Sequence, residues 1–186
     1  MKRVTQLAHD LISERLLLGQ TAVDATAGNG YDTLFLARLV GKNGQVHAFD
    51  IQEAALASTR SRLAEGSCET PVHYHHCSHV HLGEKVNSAS AITFNLGYLP
   101  GADHGIITQR SSTLTALEAS LQILISGGIL ICICYPGHPG GLEEAEAVLT
   151  WAKNQPTFKL ITANEKDRHQ GRPFLVALMK SEMNET

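Results

Sequence analysis

The sequence predicts an α/β fold: one seven-stranded sheet, parallel except for one antiparallel strand, with helices on both faces. Three observations predict it. Short apolar segments alternate with longer stretches of helical periodicity. Residues 129–134 are apolar without interruption, as a strand covered on both faces must be. The last two strand-like segments, 158–163 and 174–179, are joined by a loop rather than a helix, so they pair antiparallel. At 186 residues, the whole chain, 1–186, reads as a single domain.

Taken in order, residues 4–18 read as an amphipathic helix because Leu7, Leu11, Ile12, Leu16 and Leu18 fall on or near one face. Residues 21–26 form the first strand, and Ala27-Gly28-Asn29-Gly30 turns the chain into a helix over 32–40. The second strand covers 44–50 and the next helix 53–64. A third strand is expected over 71–75 and a fourth over 89–94, ending at Asn95. Residues 111–125 read as helix, Ser126-Gly127-Gly128 as a turn, and 129–134 as the fifth strand. A helix over 142–153 precedes the closing strand pair, and the polar tail 181–186 frays.

Composition narrows the function classes. Hydrophobic residues make up 43% and charged residues 18%, which excludes a disordered chain. No apolar run is long enough to span a bilayer, so no membrane partner is expected. The start, Met1-Lys2-Arg3-Val4, leads into a helix carrying His9, Asp10 and Glu14 and lacks the apolar core of a secretion signal. Cys68, Cys77, Cys132 and Cys134 show no zinc spacing and read as reduced thiols of a cytoplasmic protein, with Cys132 and Cys134 on one face of a buried strand. A net charge of −3 with 10 histidines gives no blanket attraction to nucleic acid, so an RNA site must be a local patch.

In open α/β sheets, ligands bind beyond the carboxyl ends of the strands. The first strand ends Asp24-Ala25-Thr26-Ala27-Gly28-Asn29-Gly30-Tyr31-Asp32-Thr33. Gly28 and Gly30 allow tight turning and close approach of backbone to a ligand, although a plain turn would use them equally well. Thr33 stands where a dinucleotide fingerprint needs a third glycine, and no Gly-Lys-Ser/Thr of a phosphate loop follows. The second strand ends Phe49-Asp50-Ile51-Gln52, where Asp50 can accept hydrogen bonds from ribose hydroxyls or cap the following helix. The acidic set suits a cationic ligand, S-adenosylmethionine, better than NAD. Asp24 and Asp32 would serve its sulfonium and ammonium end, directly or through water, and Asp50 its ribose.

The fourth strand ends Phe94-Asn95-Leu96-Gly97-Tyr98-Leu99-Pro100-Gly101. This stretch resembles the Asn-Pro-Pro-Tyr motif of amino methyltransferases, with Leu-Gly in place of Pro-Pro. An Asn oxygen can accept an amine's hydrogens and aim its lone pair in line with a methyl group. Tyr98 can stack on a base, whereas as plain structure Asn95 would cap a turn and Tyr98 pack in a loop. The fifth strand ends Tyr135-Pro136-Gly137-His138-Pro139-Gly140-Gly141, a stiff loop over the same edge from which Tyr135 and His138 can reach a substrate. Lys166, Arg168, His169 and Arg172, with Arg110, form a candidate phosphate-binding patch or a solvated loop. The cluster His73, His75, His76, His79 and His81 lacks an acid or cysteine to complete a metal set, so no metal is expected, and His79 is placed near an adenine pocket.

These motifs, together with Ser78-His79 and Gly137-His138, resemble the small rRNA-methylase-like proteins, the family containing the tRNA 5-(aminomethyl)-2-thiouridine methyltransferases. The resemblance runs over nearly the whole chain. It implies a class I, Rossmann-like methyltransferase fold with S-adenosylmethionine as donor. It also implies methylation of the 5-aminomethyl group on the wobble uridine of tRNA, held by its anticodon arm. By motif position it places Asp24, Gly28, Asn29, Gly30, Asp32, Thr33, Asp50, Gln52 and His79 at the cofactor, and Asn95, Tyr135 and His138 at the amine. Family members often carry His where this chain has Tyr31, a Tyr-His-Gly-His-like run at Tyr135-Pro136-Gly137-His138, and Pro-Pro-Phe at Arg172-Pro173-Phe174. Methylation of rRNA or of a small-molecule amine, and a non-catalytic RNA-binding module, are the alternatives. A homodimer paired through a helix face is the oligomer this reading allows.

Overall fold

A computed structural model describes residues 3–97 and 108–181. Its strands are β1 (Thr21–Asp24), β2 (Gln45–Asp50), β3 (Val72–His76), β4 (Ala89–Leu96), β5 (Leu124–Cys134), β6 (Phe158–Ala163) and β7 (Phe174–Lys180). Its helices are α1 (Val4–Ser13), α2 (Tyr31–Val40), α3 (Glu53–Glu65), α4 (Leu82–Lys85), α5 (Arg110–Ile123) and α6 (Gly141–Lys153). The strands form one sheet in the order β3-β2-β1-β4-β5-β7-β6. The first five pair parallel, and β7 runs antiparallel to both β5 and β6. Winding reverses between β1 and β4, and in open α/β sheets ligands bind beyond the strand ends at that point.

The uninterrupted apolar character of residues 129–134 in β5 has its expected cause. Ile129, Ile131 and Ile133 face one layer with Ile12 of α1 and Leu36 and Val40 of α2. Leu130, Cys132 and Cys134 face the other with Leu117 of α5 and Val148 of α6. Burial raises both thiols well above their ordinary range, so they are inert core groups.

Two boundaries differ from the periodicity by several residues, and three short elements add to it. Helix α1 stops at Ser13 instead of residue 18, because Leu16 alone turns into the core while Leu17 and Leu18 stay exposed. Strand β5 starts at Leu124, and the expected turn at Ser126-Gly127-Gly128 is a bulge inside it: the pairing steps from Ala89↔Leu124 to Ala91↔Ile129. The 3-10 segments His79–His81 and Glu165–Gln170, and the one-turn α4, are too short to leave a periodic signal. Among the described residues no helix is long and apolar enough to cross a membrane.

Candidate active site

The loop from β1 to α2 is held from behind. Asp24 is fully buried at the end of β1, where one carboxylate oxygen accepts from Thr26 N at 3.2 Å and the other from Thr33 Oγ1 at 2.6 Å. Burial, followed by the charge of Asp32, pushes its pKa up to about 7. Asp24 therefore braces the loop from the core side and does not face its open side. Gly28 and Gly30 both have positive φ, 52° and 76°. A Cβ on Gly30 would lie 2.7 Å from the Thr59 Cα, so α3 packs directly against the loop. Thr59 Oγ1 donates to Gly28 O at 3.2 Å, and Arg62 Nε donates to Asn29 O.

Asp50, at the end of β2, ties this loop to the next. Its Oδ2 accepts from Gly28 N at 3.0 Å and its Oδ1 from Gln52 N at 2.9 Å. The N-cap position of α3 belongs to Gln52, so Asp50 orients two loops rather than capping that helix. Each carboxylate oxygen keeps a further acceptor site for a ligand hydroxyl. Beside this cleft His79 is buried, edge-on to Phe94 at 5.6 Å between ring centroids, and its Nε2 has no hydrogen-bond partner. Burial lowers its pKa against an opposing contribution from the Ala25 backbone, so the ring is neutral.

At the end of β4, Asn95 is clamped on both its backbone and its side chain. Its N–H donates to Thr26 Oγ1 at 2.7 Å, and Nδ2 donates to Asp32 Oδ2 at 2.6 Å. The other Asp32 oxygen lies 2.7 Å from His9 Nε2, and the His9 ring stacks on Phe35 at 3.7 Å. Burial works to raise the Asp32 pKa, but the hydrogen bonds from His9 and Asn95 outweigh it and leave the carboxyl below its ordinary value. Because the carboxylate can only accept, it fixes the amide with Nδ2 toward Asp32 and Oδ1 on the other side of the amide.

The loop after β5 closes over the same point. Tyr135 N donates to Leu96 O at 3.2 Å. Burial raises the Tyr135 phenol, and the nearby Asp32 charge raises it further. A Cβ on Gly97 would lie 3.5 Å from Tyr135 Cβ and 3.7 Å from His138 Nε2. The structure thus brings Asn95, Tyr135 and His138 together around Gly97, while Tyr98 lies outside the described residues.

Of the arginines expected to form one anion patch, Arg168 and Arg110 both lie beside acidic side chains of α6. Arg168 lies 4.0 Å from Glu146 and 3.8 Å from Glu165. Arg110, at the start of α5, lines a groove with Glu143 and Glu146. Arg172 is exposed before β7. The histidines of β2 and β3 stack on one another instead of converging: His47 Nδ1 lies 3.0 Å from His75 Nε2, with the His73 ring 4.7 Å away on centroids. Among the described residues no group of three or more metal-ligating side chains is placed to hold an ion.

Two residues near the cleft carried no sequence signal. His9 lies 23 positions before Asp32 on a helix that read only as amphipathic. Glu144, in the acidic first turn of α6, is buried and accepts from Thr108 Oγ1 at 2.7 Å and Thr113 Oγ1 at 2.6 Å. It pins the chain at Thr108, whose N–H donates to Gly97 O at 3.0 Å.

Comparison with known proteins places this geometry. The sequence profile of the family described as "Putative rRNA methylase" matches residues 46–179. A "tRNA (mnm(5)s(2)U34)-methyltransferase, chloroplastic" of Arabidopsis thaliana is 38% identical, over 97% of this chain and 70% of that protein. The crystal structure of a "putative rRNA-methylase" from Clostridium thermocellum is 37% identical with a TM-score of 0.91, covering 97% of this chain and 98% of that one. A "putative methyltransferase" from Streptococcus mutans, solved in complex with SAH, is 37% identical with a TM-score of 0.85, covering 97% and 99%. The chain has the class I fold of the SAM-dependent methyltransferases, and it belongs to the rRNA methylase family.

Proposed function

We propose that this protein is an S-adenosylmethionine-dependent N-methyltransferase acting on the 5-aminomethyl group of the wobble (thio)uridine of tRNA, in the anticodon arm. The observation that carries the reading is Asn95 held twice, by Asp32 through Nδ2 and by Thr26 through its N–H, next to the loop that Asp50 holds at Gly28. The name of the Arabidopsis relative supports the tRNA substrate, and the Streptococcus mutans complex with SAH supports the donor.

The residues fit the donor. Gly28 and Gly30 hold the loop at positive φ, and Gly30 lets it pack directly on Thr59 of α3. Asp50 offers acceptors for two ribose hydroxyls next to Gln52 and the Gly28-Asn29 turn, and His79, beside Phe94, would serve the adenine. Asp32 keeps its negative charge near a cationic ligand, and Asp24 and Thr33 hold the loop that carries it. When bound, S-adenosylmethionine supplies an electrophilic methyl group on a sulfonium.

The protein's own part is to prepare the nitrogen. An alkylammonium has no lone pair to offer, and a half-buried pocket disfavours the charged form. Asn95 Oδ1 accepts one amine hydrogen and so turns the lone pair. Tyr135 stays a neutral phenol able to donate or accept, and His138 stands where it can take up the departing proton. No covalent nucleophile is called for, and the buried Cys132 and Cys134 supply none.

The test is transfer of labelled methyl from S-adenosylmethionine to tRNA bearing 5-aminomethyluridine. Incorporation into that tRNA, and none into tRNA lacking the aminomethyl group, is expected. Absence of incorporation while the donor binds would overturn the substrate assignment.

A further inference from the structure

Tyr31 is a large aromatic side chain left 66% exposed at the first position of α2. The Arg62 guanidinium lies over its ring, 3.5 Å from the centroid. Arg62 is also tied down by the hydrogen bond from its Nε to Asn29 O, so both planes are held in place. Among the described residues no carboxylate pairs with Arg62, whereas Arg60 on the same helix meets Glu53 at 2.8 Å. Arg62 therefore keeps an uncompensated positive charge on a fixed stem, with its terminal nitrogens available to an anion.

The position gives this pair a meaning. Tyr31 directly precedes Asp32, the residue that clamps Asn95. A nucleotide resting on Tyr31 would thus be a neighbour, along one strand, of a nucleotide presented to Asn95. Exposed aromatic faces and guanidinium planes are the surfaces on which proteins stack unpaired bases, and a free guanidinium also meets the phosphate beside them.

We infer that Tyr31 and Arg62 form a stacking platform for an unpaired RNA nucleotide flanking the target, with Arg62 contacting its phosphate. The inference rests on the reading above that the substrate is RNA. The pair takes precedence over Arg168 as an anchor, since Arg168 is already engaged with two glutamates.

The test is fluorescence anisotropy with an unmodified anticodon stem-loop RNA, alongside calorimetry with S-adenosylhomocysteine. Tyr31→Ala should weaken RNA binding roughly tenfold, the scale of one lost base stack. Tyr31→Phe should restore it to within about twofold, because the ring face is retained. Arg62→Gln should make the salt dependence of RNA binding shallower by about 0.7 in logarithmic slope, as expected for one lost contact to single-stranded phosphate. In Tyr31→Ala and Tyr31→Phe, affinity for S-adenosylhomocysteine should be unchanged. RNA binding by Tyr31→Ala equal to that of wild type would overturn the platform, as would loss matched by equal loss of S-adenosylhomocysteine binding. An RNA-binding wild type that is weakened by Tyr31→Ala yet never methylates aminomethyl tRNA would leave the platform standing and defeat the proposed reaction. A wild type with no affinity for the RNA would overturn both.

Discussion

Asn95 Nδ2 donates to Asp32 Oδ2 at 2.6 Å, and that single bond decides which way round the Asn95 amide is held. Replacing Asn95 with Ala removes both the clamp and the amide oxygen. Methyl transfer should fall by about 100-fold or more, the cost of losing alignment of a nucleophile. Affinity for S-adenosylhomocysteine, read by calorimetry, should stay within a few-fold. Turnover equal to wild type would remove Asn95 from its role.

Asp32→Asn keeps the size of the side chain but adds an N–H donor opposite Asn95 and His9. The Asn95 amide then loses its fixed orientation, and kcat should fall roughly tenfold or more. His9→Ala leaves the Asp32–Asn95 bond in place and should cost less. The order Asn95→Ala, Asp32→Asn, His9→Ala in loss of kcat is the result to check by steady-state kinetics.

Gly30 and Gly141 are two positions where a methyl group has nowhere to go. At Gly30 a Cβ meets Thr59 Cα at 2.7 Å, and the residue sits at φ 76°. Gly30→Ala should weaken donor binding by tenfold or more, since strain of about 1–2 kcal/mol adds to the clash. At Gly141 a Cβ meets Tyr135 O at 2.7 Å and His138 Nε2 at 2.8 Å. Gly141→Ala should shift that loop and lower methyl transfer while donor affinity holds. Calorimetry and kinetics on the two variants separate the effects.

Stability should respond to pH in two opposed ways. The folded-state pKa of Asp24 is raised to about 7, so its stabilising contribution is complete below the ordinary carboxyl value near 4 and is lost as pH rises through about 7. Asp24→Asn should remove that loss and be relatively more stable at pH 7.5 than at pH 5. The His47 ring is lowered to about 4, first by burial and then by His73 and His75. Its contribution is complete above about 6.5 and is lost as pH falls toward 4. His47→Gln should therefore lose less stability than wild type between pH 6.5 and pH 4. Melting temperatures of the three proteins across this range are the measurement.

The parallel sheet and the site's placement at its carboxyl edge were legible in the residues because alternation of strand and helix is a local signal. Asp50 and Asn95 were legible because each ends a strand at that edge. The rest depended on long-range packing. Nothing in the sequence near His9 reveals that α1 delivers it to Asp32. Glu144 reads as one of two adjacent surface acids, and only the packing of α5 against α6 buries it under Thr108 and Thr113. Arg168 reads as a free cation because the sequence does not show that Glu146 will lie beside it. Asp50 could cap a helix or serve a ligand, and only the Gly28 N–H at 3.0 Å shows that it joins two loops.

The most direct measurement is mass analysis of the nucleosides released from aminomethyl-bearing tRNA after incubation with the enzyme and isotopically labelled S-adenosylmethionine. The labelled methyl should appear on the aminomethyl nitrogen of the wobble uridine and nowhere else in the tRNA. Label on a base carbon or a ribose oxygen, or an unchanged 5-aminomethyluridine under conditions where the donor binds, would contradict the account.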